Sequence, residues 1–311
     1  MQQRTLGASD LKVSVVGLGA NNFGGRMDAA QVRAVVYKAL DSGVTLIDTA
    51  DAYGPDGKSE AAIGEVLGPR RKDVVLATKF GLDVSGNHKL AGGSRNYVMK
   101  AVEDSLKRLR TDWIDLYQMH YPDPGTPIEE TLRALDDLVK QGKVRHIGYS
   151  NATGVQLDEA MEASKKSKIT AFISTQDQYS LLNRKIEREV VPAIEKHKLG
   201  FLPYFPLASG MLTGKHRKGV IQEGSRLSFS KRHIDRFVND ANWTKVEALT
   251  IFAEQRGHTI LELAFAWLLA KPFIGSVISG ASVPEQVEQN VKAVGWALTP
   301  ADMAELDRIT R

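Results

Sequence analysis

Three polar residues of complementary chemistry stand at the ends of successive short apolar runs. Asp48 finishes the run Leu46–Thr49, Lys79 follows Val74–Thr78, and His120 follows Ile114–Met119. A phenol, Tyr53, comes five residues after Asp48. A buried acid or ammonium is costly unless paired, so Asp48 and Lys79 are expected to pair across adjacent strands. A lysine beside a phenol stabilises the tyrosinate and lowers the phenol pKa from about 10, making it a better proton donor near neutrality. His120 is placed to hydrogen-bond a substrate oxygen. Together these groups suit the polarisation of a carbonyl and the protonation of its oxygen as hydride arrives. Taken singly, each is more often a satisfied structural group, so the coincidence on successive run ends carries the argument. Asp51 competes with Asp48 but reads as a turn residue on an exposed loop. Further run ends carry Asn21, Ser150 with Asn151, and Gln176.

The elements that must position these groups are legible as an alternation. Eight apolar runs have strand length: Val13–Leu18, Leu46–Thr49, Val74–Thr78, Ile114–Met119, Val144–Gly148, Ala171–Thr175, Phe201–Phe205 and Gly275–Ile278. They are rich in Val, Ile and Leu, as strands buried on both faces are. Helical patterns separate them: Ala29–Ser42, a short helix opening at Ser59, Tyr97–Leu109, Glu130–Lys140, Val155–Lys165 and Glu187–Lys198. Trp243–Arg256 and Thr259–Ala270 precede the last run, with Pro284–Val294 and Pro300–Ile309 after it. Eight strand–helix units predict an α/β fold, a (β/α)8 TIM barrel over 1–311 as a single domain, with active groups at the C-terminal strand ends. A small hairpin is expected over Thr5–Lys12, and a long irregular loop over Ala208–Asn242 after the seventh strand. Pro203 sits awkwardly inside the seventh run, because proline removes a ladder donor.

Composition narrows the chemistry. The 311 residues contain no cysteine, which excludes thiol catalysis, Cys-ligated zinc and iron–sulfur clusters, and no metal site is expected. Lys and Arg exceed Asp and Glu by only four, 41 against 37, so nothing calls for a nucleic acid. No window approaches the ~18 consecutive apolar residues of a membrane span. The opening Met1–Gly7 lacks a signal-peptide core, and a cytoplasmic location is expected.

Three longer stretches carry a resemblance. Leu46-Ile47-Asp48-Thr49-Ala50-Asp51-Ala52-Tyr53-Gly54, Asp115-Leu116-Tyr117-Gln118-Met119-His120 and Gly142-Lys143-Val144-Arg145-His146-Ile147-Gly148-Tyr149-Ser150-Asn151 are similar, in order and spacing, to the signatures of the aldo-keto reductases. The resemblance extends over essentially the whole chain. It implies Tyr53 as general acid, Lys79 and Asp48 as its tuning pair, and His120 as the group that orients the carbonyl. It also implies that Ser150, Asn151 and Gln176 hold a nicotinamide carboxamide and that Tyr204 stacks on the ring. Pro206, Leu207, Ser209, Gly210 and Lys215 resemble the pyrophosphate loop. At the adenosine end the chain departs from the better-known pattern: Ser279–Asn290 has no basic residue. There it resembles the branch of the potassium-channel β subunits and bacterial aldo/keto reductases, with Gly280, Ser282, Gln286, Gln289 and Asn290 in the corresponding places. Arg226 either supplies the missing charge, stacks on adenine, or is an ordinary solvated loop residue. NADP(H) is expected over NAD(H).

The substrate is expected to be a small-molecule carbonyl compound, lying against Asn21, Asn22, Phe23, Phe80, Tyr121 and the long loop through Trp243. Its asparagines point to a polar, sugar-like molecule. Two other readings stay open: a cofactor-binding redox-sensing subunit with slow turnover, and a Schiff-base lyase or isomerase acting through Lys79. The sequence leaves oligomeric state open.

Overall fold

The structure is a computed structural model that describes residues 1–85, 89 and 91–311. It opens with an antiparallel hairpin, β1 (Gln3–Thr5) and β2 (Lys12–Ser14). Eight parallel strands then wind in sequence order: β3 (Val16–Gly19), β4 (Leu46–Asp48), β5 (Val75–Phe80), β6 (Ile114–Met119), β7 (Val144–Ser150), β8 (Ser174–Gln178), β9 (Gly200–Tyr204) and β10 (Val277–Gly280). Helices fill the crossovers, and β10 returns to pair with β3. The circle is nearly complete, a (β/α)8 barrel as expected.

The remaining seam lies between β9 and β10. There the strands meet at a single bridge, Phe201 with Ile274, made by Phe201 N–H to Phe273 O at 2.8 Å and Gly275 N–H to Phe201 O at 2.9 Å. This explains Pro203. Backbone N–H groups alternate sides along a strand, so Pro203 and Phe201 face the same side. Its missing donor falls on the seam, where the ladder has already parted.

Two strand boundaries differ from expectation. The first run divides, with Val13 in the hairpin and Val16 in the barrel. The sixth strand lies three residues later than its apolar signal, because its own residues Ser174, Thr175 and Gln176 are polar yet buried. The segment over 208–242 is not structureless. It contains short helices at Arg226–Phe229 and Lys231–Phe237, opened by Ser225 and Ser230, whose side chains accept from Ser228 N–H and His233 N–H.

Strand periodicity decides what enters the barrel. Leu46, Ala77, Leu116, Leu202 and Ile278 form a small apolar cluster inside it. Leu6 and Val13 of the hairpin region join this cluster and plug its floor. Gly7 permits the turn: its φ is +62°, and a Cβ there would stand 2.4 Å from Ile173 O. Two residues further along the same strands, on the same inward face, come Asp48, Lys79 and Gln118. Gln176 joins them from β8. The residues between point outward into the main core under the helices, Phe80 against Tyr117 among them at 4.7 Å between ring centroids.

Candidate active site

Lys79 is fully buried, and its ammonium has three acceptors, matching its three protons. Its Nζ donates to Asp48 Oδ2 at 2.7 Å, to Thr49 O at 2.9 Å and to the Tyr53 hydroxyl at 3.4 Å. The other oxygen of Asp48 accepts from Gln118 Nε2 at 3.1 Å and from Gln176 Nε2 at 3.0 Å. Because Lys79 donates to the phenol oxygen, the proton of Tyr53 remains available to an acceptor in the cavity. His120 stands edge-on to Tyr53, their ring centroids 5.7 Å apart, and stacks on Tyr121 at 5.3 Å.

The electrostatics refine the expected tuning. Burial is the largest influence on the Tyr53 phenol and raises its pKa, against the downward pull of Lys79; Asp48 also pushes it up. The net shift is therefore upward, and the depressed phenol expected from the sequence is not present in this state. For Lys79, burial disfavours the charge, but Asp48 and Tyr53 together outweigh it and the pKa is raised. An ammonium held in that form with three acceptors is a poor amine nucleophile, which removes the basis for the Schiff-base reading.

Asp48, Tyr53 and His120 open into a cavity of about 1190 Å³. That exceeds the ~300–1,000 Å³ of a pocket for one small ligand, so a second molecule fits beside a large one. Asn22, Tyr121, Ser150, Asn151, Gln176, Tyr204, Pro206, Leu207, Ser209, Gly210, Lys215, Arg226, Gly280, Ser282, Gln286, Gln289 and Asn290 all line it. The structure thus brings nearly all of the anticipated residues to one surface. Lys79 lies directly beneath that surface.

Phe23 is the exception among those residues. It is completely buried in the outer core and does not reach the cavity, because the backbone after β3 turns its ring under the helices. Phe80 and Trp243 are likewise core residues. Phe80 follows the inward-facing Lys79 and must point outward. Asp51, expected on an exposed loop, is fully buried. Burial and the neighbouring Glu60 push its carboxyl well above the ordinary range, against the pull of Arg108.

Three features fit this cavity to a dinucleotide. Asn151, at a left-handed φ of 58°, ties the strand ends together: Nδ2 donates to His120 O at 2.9 Å, and Oδ1 accepts from the Tyr204 hydroxyl at 2.8 Å. After β9 the backbone runs through positive φ at Ala208, Ser209 and Gly210, a geometry that gathers N–H groups around an anion. The buried hydroxyl of Ser209 has no hydrogen-bond partner among the described residues. Lys215 and Arg226 line the same space, and neither forms an ion pair among the described residues. Arg226 instead donates to Asn21 and to Asn22 Oδ1, the latter at 2.9 Å.

Sequence reasoning missed Gln118, although its parity, two residues after inward-facing Leu116, was the available signal. It also missed Arg26, Arg232, His233 and Arg236, which line the cavity from positions on loops and short helices.

Comparison with known proteins agrees with this geometry. The chain is 35% identical to a probable voltage-gated potassium channel subunit beta of Arabidopsis thaliana, over 99% of this chain and 96% of that one. It is 34% identical to the aldo-keto reductase YhdN of Bacillus subtilis, covering 99% and 92%. It is 32% identical to the L-glyceraldehyde 3-phosphate reductase of Escherichia coli, again covering 99% and 92%. A sequence profile of the aldo/keto reductase family matches residues 15–311, and the chain belongs to that family of oxidoreductases.

Proposed function

We propose that the protein reduces an aldehyde or ketone to the alcohol with NADP(H), Tyr53 acting as general acid. The observation that carries this reading is the contact of Lys79 with both Asp48 and Tyr53 at the floor of the cavity. When bound, the nicotinamide supplies hydride to the carbonyl carbon. Tyr53 gives its proton to the carbonyl oxygen, and Lys79 stabilises the phenolate that is left. His120, beside Tyr53, orients the carbonyl. Asp48, fixed by the amides of Gln118 and Gln176, holds Lys79 in its charged form.

Ser150, Asn151 and Gln176 are the residues for the carboxamide, Tyr204 for the ring, and Ser209, Gly210 and Lys215 for the pyrophosphate. Arg226 lies within 3.9 Å of a Cβ position at Gly280, the rim where the adenosine end would sit, which favours a 2′-phosphate and hence NADPH. A screen of NADPH and NADH against aldoses, aliphatic aldehydes and aromatic aldehydes tests the activity. Tyr53→Phe should lower kcat by about 10²–10⁴-fold with NADPH affinity retained; near-normal turnover would overturn the assignment. Arg226→Ala should weaken NADPH by about tenfold or more and NADH by less. Equal losses would remove Arg226 from the 2′-phosphate.

The redox-sensing alternative has one observation in its favour: the Arg226 hydrogen bonds to Asn21 and Asn22 join the two walls of the cavity and would slow cofactor exchange. A burst of product in the first turnover followed by a much slower steady state would support it.

A further inference from the structure

The cavity holds more positive charge than the two residues assigned to the cofactor phosphates supply. Five cations line it: Arg26, Lys215, Arg226, Arg232 and Arg236. None of them forms an ion pair with a carboxylate among the described residues. The one carboxylate in the lining is Asp48, and it is held by Lys79. If Lys215 and Arg226 serve the cofactor phosphates, three arginines remain.

All three line the cavity together with Phe205 and His233. Arg236 donates to Gln178 at the end of β8 and stands over the Phe205 ring at 5.6 Å. Phe205 immediately follows Tyr204, whose phenol is pushed up by burial and by the neighbouring Asp177 and Tyr121, against the pull of Arg236. Arg26 covers the ring of Phe229 at 5.4 Å. His233 lies between, edge-on to Phe205 at 5.4 Å. Burial, followed by the charges of Arg226, Arg232, Arg26 and Arg236, pushes its imidazole down to about 4. His233 is therefore neutral, and the four guanidinium groups lie close enough together to act on one imidazole. Such a set of like charges is unfavourable until an anion joins it.

We infer that the carbonyl substrate carries a phosphate monoester, which Arg236, Arg232 and Arg26 seat while the carbonyl reaches Tyr53. This inference rests on the reductase reading above and names its substrate class. Guanidinium groups suit the choice, since their planar fork matches phosphate oxygens. Phosphate takes no part in the reaction: the carbonyl carbon gains hydride, its oxygen gains the Tyr53 proton, and the ester is unchanged.

The test compares glyceraldehyde 3-phosphate with glyceraldehyde, using NADPH, in the natural protein and in Arg232→Gln, Arg236→Gln and the double variant. The phosphorylated aldehyde should have a kcat/KM at least tenfold higher. The double variant should lose most of that preference through KM, with NADPH affinity by fluorescence titration changed less than threefold. Inorganic phosphate should compete with the phosphorylated aldehyde in the natural protein, a readout that needs no variant to fold. Turnover of the neutral aldehyde equal to or better than the phosphorylated one overturns the inference and leaves the reductase reading standing. A preference that survives both substitutions, or a matching loss of NADPH affinity, also overturns it by assigning these arginines elsewhere. Absence of NADPH oxidation with every aldehyde, aromatic ones included, would instead overturn the reductase reading.

Discussion

The side-chain amide of Gln176 donates to Asp48 Oδ1 at 3.0 Å, across 128 positions of the chain. Gln118 donates to the same oxygen from β6, and its own Oε1 lies 3.3 Å from Gln176 Nε2. Three strands thus fix one carboxylate, and through it the ammonium under Tyr53. Gln118 does not line the cavity, so its substitution separates positioning from binding. Gln118→Leu is expected to lower kcat by about tenfold while NADPH affinity stays the same, because a misplaced Lys79 no longer supports the phenol. Steady-state kinetics with a parallel fluorescence titration check both halves.

The Asp48–Lys79 pair gives a stability prediction that runs apart from activity. Lys79→Met leaves Asp48 buried with its amide donors but no counter-charge, and should cost about 3–5 kcal/mol. Adding Asp48→Asn removes the stranded charge and should restore a large part of that loss. Neither variant should regain turnover. Urea unfolding of both variants, with activity measured alongside, decides it.

With Tyr53 as the proposed general acid, its phenol sets the expected pH dependence. Its phenol lies above the ordinary value of 10.0, so it remains protonated throughout the neutral range. Reduction needs the protonated form and should stay level through neutrality, falling only above about pH 10. Oxidation of the alcohol needs the phenolate and should rise with pH towards the same limb. In Lys79→Met the ammonium that pulls the phenol down is gone, and the residual activity should show that limb moved to higher pH. Rate profiles in both directions are the measurement.

Asp51 makes the opposite kind of contribution. Its carboxyl is held well above the ordinary value of 3.8 in the folded protein. Below that value both folded and unfolded forms are protonated, and the group makes no difference. As pH rises, the unfolded chain ionises first, so stability falls until the folded-state carboxyl also ionises. Asp51→Asn should therefore be more stable than the natural protein at pH 7 and should show no such gain near pH 3. The gain amounts to about 1.4 kcal/mol for each unit by which the carboxyl is displaced. Thermal unfolding across this range shows the crossover.

Much of this arrangement was legible in the chain because barrel strands have a period of two. Asp48 and Lys79 follow the inward-facing Leu46 and Ala77 by two residues, and His120 follows Gln118 by two. A polar residue at such a position, directly after an apolar run, is visible by inspection. The same rule applied to Phe80 would have placed its ring outside the barrel. The polar strand Ser174–Gln178 hid its start, because its buried side chains reach to other strands, Thr175 to Tyr149 O and Gln176 to Asp48 and Gln118, rather than packing as hydrocarbon. Asp51 and the arginine group were hidden for a different reason. Their surroundings come from segments apart in sequence, and no local pattern records that Glu60 and Arg108 approach Asp51, or that Arg26 acts on the same imidazole as Arg232.

The single bridge between β9 and β10 gives the barrel the mechanics of a split ring. Seven junctions are laced by ladders and resist spreading, whereas this one is fastened near its lower edge alone. The two margins above that fastening are the segments that run into Pro206–Gly210 and Ser279–Ser282, on either side of the cavity. Among the described residues no strand ladder ties the rim there. A dinucleotide lying across the gap would then supply the cross-ties that the backbone omits, so that filling the barrel also completes its circumference.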